Sequence, residues 1–170
     1  MVMEWGRSTE GDIVPVGELG QLGEPKPASS TGGGRRRVLV CDDVEQIRRL
    51  IRVNLELEGY EVIEAEDGQQ ALEILWDRTQ PLPDVMTVDV IMPRRDGWST
   101  VSTIRADPRL AHLPIVMVTG SVQNADRLRA AQVDVDAFVA KPFEPSDLMA
   151  LIETLAEGPP RVTRADPPAS

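Results

Sequence analysis

The sequence predicts an α/β fold of five βα units around a parallel sheet, and three observations predict it. Five short apolar runs recur between residues 37 and 140, helical apolar spacing fills the intervals between them, and polar residues gather where the runs stop. The runs are 37–41, 61–65, 85–90, 115–119 and 137–140, each rich in Val, Ile or Ala. Their apolar character is continuous, as strands covered on both faces require.

Taken in order, the first strand, RVLVC, is followed by a helix whose stripe is Ile47, Leu50, Ile51 and Leu55, at spacings of three and four. Gly59 ends that helix as a left-handed cap would. Weaker helical patterns cover 69–77, 98–105 and 125–131, after the second, third and fourth strands. Leu148, Leu151, Ile152 and Leu155 mark the last helix, which ends near Glu157. Right-handed crossovers then place helices on both faces of the sheet. Trp76 and Trp98 lie on these helices and read as packing residues.

The folded part is expected at residues 35–157, between a Gly-, Pro- and Ser-rich extension at 1–34 and a tail at 158–170, both read as disordered. Trp5 in the extension is a lone aromatic. Aromatics are only 4% of the chain, so the core must be aliphatic. Net charge is −10, and residues 35–157 carry 14 basic against 22 acidic side chains. That balance repels a phosphate backbone, so no direct nucleic-acid contact is expected. The Arg35–Arg37 run reads as a solvated strand entry. No segment approaches the about 18 apolar residues of a membrane span, and the N-terminus lacks a secretory pattern, so a cytoplasmic protein is expected. Cys41, the single cysteine, reads as a small buried hydrophobe. His112, the single histidine, has no partner His or Cys in sequence and reads as solvent-facing.

In open α/β sheets, ligands sit at the carboxyl ends of strands. Here those ends carry Asp42 and Asp43, Asp89, Thr119 and Lys141. Two like charges about 4 Å apart repel by roughly 4 kcal/mol at an effective dielectric near 20, so an aspartate pair ending a buried strand anticipates a cation. If the first and third strands are neighbours, three carboxylates converge, and hard oxygen ligands favour Mg2+. A carboxylate kept ionised beside a cation can act as a nucleophile toward phosphorus. Lysine and a hydroxyl are the groups that phosphoryl transfer needs to neutralise and orient phosphoryl oxygens. Gly120, after Thr119, leaves the backbone open to a phosphate.

With these residues in place, the chain from Arg37 to Leu155 resembles the receiver domain of two-component response regulators. VLVCDD, DVIMPRRDG (residues 89–97), VMVTG (116–120) and FVAKPF (138–143) carry the resemblance. It implies a flavodoxin-like, doubly wound five-stranded sheet in the order 2-1-3-4-5. It also implies that Asp89 accepts a phosphoryl group from a histidine kinase, a phosphotransfer protein or a small phosphodonor. Asp43, Asp89 and the backbone carbonyl of Ile91 would ligate Mg2+ directly, and Asp42 through a water. Lys141 would pair with the phosphate, Thr119 would move toward it, and Phe138, the switch aromatic, would turn inward behind it. The Lys141–Pro142 bond would be cis. Phe138 stands where the family more often has tyrosine, and Ile91 is an apolar choice at a position that affects water access to the acyl phosphate.

Only 13 residues follow Glu157, so the expectation is a stand-alone receiver that signals through the surface of its fourth helix, fifth strand and fifth helix, residues 125–156. It would catalyse only its own phosphorylation and dephosphorylation. A phosphorylation-independent scaffold is the first alternative. A haloacid-dehalogenase-type phosphatase is the second, but Val90 and Ile91 stand where that family wants an Asp two residues past its nucleophile. A nucleotide-binding Rossmann domain is weaker still, because TGGG precedes the first strand instead of following it.

Overall fold

A computed structural model describes residues 34–120 and 132–158. The chain runs β1 (Arg37–Cys41), α1 (Glu45–Leu57), β2 (Glu61–Ala65), α2 (Gly68–Trp76), β3 (Val85–Asp89), α3 (Gly97–Ala106), β4 (Ile115–Thr119), β5 (Ala137–Ala140) and α4 (Pro145–Glu157). The expected helix at 125–131 lies outside the described residues, as do Trp5 and nearly all of both tails. Among the described residues, no helix is long and apolar enough to cross a membrane.

All strands pair in parallel, in the order β2-β1-β3-β4-β5. β3 and β4 are buried at every position, because helices cover both of their faces and a strand flanks each edge. β2 and β5 are only partly buried, as edge strands with one neighbour each. Alternate strand residues feed two cores. Leu39, Met86, Val88 and Met117 pack toward α2 and α3, while Val38, Val40, Val116 and Val118 pack toward α1 and α4.

Local sequence signals explain the helix ends. Asp67 and Asp96 cap α2 and α3 by accepting from the N–H groups of Gln70 and Ser99. Gly59 adopts φ +89° just after α1, and its N–H closes on the Glu56 carbonyl. One stripe assignment and one packing assignment need correction. Leu50 is 40% exposed, since α1 buries Arg48, Ile51 and Leu55 instead. Trp76 is 44% exposed at the end of α2, whereas Trp98 is buried. The third strand also stops one residue earlier than expected, at Asp89. The Arg35–Arg37 run is not uniformly solvated: Arg37 pairs with Glu61, and its backbone N–H donates to Asp84.

Candidate functional site

β1 and β3 lie side by side near the middle of the sheet, so their carboxyl ends bring Asp42, Asp43 and Asp89 to one place. One carboxylate oxygen from each lies within 4.8 Å of the others. Asp42 and Asp89 are buried, at 2% and 7% exposure, while Asp43 faces solvent. Burying two carboxylates is expensive unless a cation or donors compensate.

Lys141 compensates in part. It follows β5, its N–H donates to the Thr119 carbonyl at 2.7 Å, and its bond to Pro142 is cis. Its Nζ donates to Asp42 Oδ2 at 2.8 Å and to Asp89 Oδ2 at 2.9 Å. Burial alone would lower the lysine pKa, but these two carboxylates outweigh it and hold the ammonium above its usual range. Burial pushes the Asp42 carboxyl up, against the hydrogen bonds from Lys141 and the Val44 N–H that pull it down. Three carboxylates against one ammonium leave the cluster negative, and every donor in it is a hard oxygen, a set that fits a divalent cation of the Mg2+ type.

The remaining expected residues surround this cluster. Thr119 ends β4 at 3% exposure, one strand from Asp89. Ile91 stands at the rim, 76% exposed, and its N–H donates to Asp89 Oδ1 at 3.3 Å. Phe138 is half-buried on β5, its ring centroid 6.1 Å from that of Trp98 on α3. Gly120 is exposed, and a Cβ there would meet nothing within 4 Å among the described residues, so packing does not demand a glycine at that position.

Cys41 is buried, with its Sγ 3.6 Å from Met92 Sδ. Burial, then the nearby carboxylates of Asp67, Asp42 and Asp89, push its thiol pKa far up, which leaves it inert as a nucleophile.

Sequence reasoning missed three residues that shape the site. Arg48 of α1 is buried and donates from Nη1 to the Asp42 carbonyl at 2.7 Å. Nothing local in the sequence marked it, because its polar neighbours on α1 are mostly exposed. Asp67 is fully buried, caps α2 and pairs with Arg94 in the loop after β3. Its signal was an Asp-Gly pair opening a helix. Gly97 donates to the Val90 carbonyl at 2.9 Å, and a Cβ there would collide with the Asp89 carbonyl. Only glycine lets α3 start so close to the end of β3.

The family model of the response regulator receiver domain matches residues 38–153. The chain belongs to the response regulator receiver family. The receiver is 36% identical over 121 residues to the "Probable transcriptional regulator ycf27" of Guillardia theta, covering 71% of this chain and 45% of that protein. It is 32% identical over 131 residues to the "DNA-binding dual master transcriptional regulator RpaA" of a Synechocystis strain, covering 76% of this chain and 52% of that protein. A crystal structure of the Vibrio cholerae chemotaxis protein CheY4 superposes with a TM-score of 0.66 at 29% identity, covering 72% of this chain and 99% of that one.

The chain thus spans about half the length of the curated relatives it matches. The name of the Synechocystis relative includes DNA binding, a property of that whole protein, so the expectation that no nucleic acid is involved is not confirmed. The family match favours the receiver reading over the phosphatase one. Receiver domains are signal transducers that bind Mg2+ at an acidic pocket, and Asp42, Asp43 and Asp89 form an acidic cluster that could hold a metal ion here.

Proposed function

We propose that this chain is a phosphorylation-switched receiver in which Asp89 accepts a phosphoryl group from a histidine kinase, a phosphotransfer protein or a small donor such as acetyl phosphate. The observation that carries this reading is the meeting of three carboxylates from two adjacent strands with a lysine from the sheet edge.

In this reading the Asp89 carboxylate attacks phosphorus, the donor's P–N or P–O bond breaks, and the leaving imidazole or acetate departs with the electron pair. Asp43, Asp89 and the Ile91 carbonyl would hold Mg2+ directly and Asp42 through water, and the ion would supply neutralising charge for the phosphoryl oxygens. Lys141 exchanges its hydrogen bond to Asp89 for one to a phosphoryl oxygen, and the Thr119 hydroxyl turns to another. Phe138, half-buried against Trp98, moves into the space that Thr119 leaves. Attack of water on the acyl phosphate resets the switch, so the chemistry acts on the protein itself and on no other substrate.

The output is a protein contact on the 125–156 surface, of which residues 132–156 are described. Such a switch works in the cytoplasm, where a kinase can reach it. Incubation with radiolabelled acetyl phosphate tests the assignment: label should require Mg2+ and vanish in Asp89→Asn. Equal labelling of the variant, or none of wild type by acetyl phosphate or a phosphorylated kinase, contradicts it.

A further inference from the structure

Every polar group of Asp42 has a partner. Its N–H donates to the Ala65 carbonyl at 3.1 Å, its Oδ1 accepts from Val44, its Oδ2 accepts from Lys141, and its carbonyl accepts from Arg48 Nη1 at 2.7 Å. The carboxylate of Asp43, by contrast, is exposed and has no hydrogen bond among the described residues. With no hydrogen bond to hold the side chain, the backbone sets only the direction in which its Cα–Cβ bond leaves the chain. The Asp42 carbonyl belongs to the peptide plane that joins the two aspartates, so fixing that oxygen fixes ψ of Asp42 and φ of Asp43 together.

Arg48 is itself ion-paired, although its Nε makes no hydrogen bond among the described residues. Only 9% exposed, it places Nε 3.5 Å from Glu64 Oε1, and Glu64 Oε2 accepts from Arg52 Nη1 at 2.7 Å. Glu64 lies on β2 in register with Val40 of β1, directly beside the strand whose end carries the aspartates. A guanidinium buried this deeply is costly unless its contacts are specific, and its hydrogen bond is to a backbone carbonyl instead of to the nearby carboxylates.

We propose that Arg48, held by Glu64, is a positioning residue for the cation site: it orients the Asp42–Asp43 peptide and thereby aims the Asp43 carboxylate at the metal. This rests on the Mg2+ reading above. Two other roles predict different outcomes. If Arg48 acted only through its charge, removing it would tighten Mg2+ binding, because one repelling cation would be gone. If it only tied α1 to β2, removing it would lower stability without moving metal affinity.

The test is Mg2+ titration calorimetry on the full chain carrying Arg48→Met, Arg48→Lys and Glu64→Gln, with thermal unfolding and the carbonyl 13C resonance of Asp42 recorded without metal. Outer-shell partners of metal ligands typically contribute 10–100-fold in affinity, so Arg48→Met should weaken Mg2+ binding about tenfold. Arg48→Lys should recover part of that loss, and Glu64→Gln should show a smaller one. The Asp42 carbonyl resonance should shift in Arg48→Met in metal-free protein, a signature that a remote tie would not move. A cooperatively folding Arg48→Met with unchanged or tighter Mg2+ binding and an unmoved Asp42 resonance overturns the role. If Arg48→Met does not fold, Arg48→Lys and Glu64→Gln carry the same comparison, and wild-type affinity in both overturns it. Absence of Mg2+ binding by wild type removes the metal reading, and this inference with it.

Discussion

Lys141 Nζ donates to Asp89 Oδ2 at 2.9 Å, joining the turn after the edge strand β5 to the end of β3 with the whole of β4 between them. Neighbouring strands are about 4.8 Å apart, so the side chain spans close to 10 Å of sheet, a reach that suits a long, flexible cationic stem. The same ammonium touches Asp42, the residue just after β1. It supplies part of the positive charge that the aspartates demand.

The ammonium should therefore compete with a metal. Lys141→Met is expected to bind Mg2+ about tenfold more tightly than wild type, the equivalent of about 1.4 kcal/mol of removed repulsion. The same variant should accept phosphate more slowly, because the phosphoryl oxygens lose their partner. Calorimetric titration and acetyl phosphate labelling measure the two effects, and weaker Mg2+ binding would count against the competition.

Asp43 and Asp42 should differ. Asp43 is exposed and uncommitted among the described residues, whereas Asp42 is buried with both carboxylate oxygens engaged. Mg2+ titration of Asp43→Ala should show the larger loss of affinity, at least tenfold, and Asp42→Ala the smaller. Equal losses would undo the division between direct and water-mediated ligand.

Much of this was legible in the sequence, for a physical reason. A strand covered on both faces must be continuously apolar, and a functional residue at its end must be polar, so β1, β3 and β4 announced both themselves and Asp42, Asp89 and Thr119. What stayed hidden depends on three-dimensional neighbours. Arg48 lies on a helix whose polar residues mostly face water, and nothing local says that this one turns inward to a carbonyl. Leu50 fits the apolar stripe of α1 in spacing, yet the helix rotates to bury Arg48 and leaves Leu50 outside. Gly97 reads as the last letter of a loop motif until the Asp89 carbonyl is found against its Cα.

Gly97→Ala should accordingly cost stability. The added methyl would meet the Asp89 backbone, and overpacking of this kind typically costs about 1–3 kcal/mol. Denaturant unfolding would measure it. Because the displaced backbone is that of the proposed phosphoryl acceptor, labelling should slow as well, and a variant with wild-type stability would show that α3 can shift freely.

Ile91 stands at the rim of the site with 76% of its surface exposed. An apolar side chain there should slow entry of the water that hydrolyses the acyl phosphate. Ile91→Asn is expected to shorten the lifetime of phosphorylated protein several-fold, followed by loss of label after donor removal. An unchanged lifetime would remove this role.

The central claim is that Asp89 carries the phosphoryl group. Borohydride reduction of acetyl phosphate-treated protein, followed by peptide mass spectrometry, converts an aspartyl phosphate to homoserine and marks its position. The account predicts homoserine at residue 89, dependent on Mg2+ and absent from untreated protein. Reduction at Asp42 or Asp43 instead, or at no residue in protein that demonstrably binds Mg2+, would contradict it.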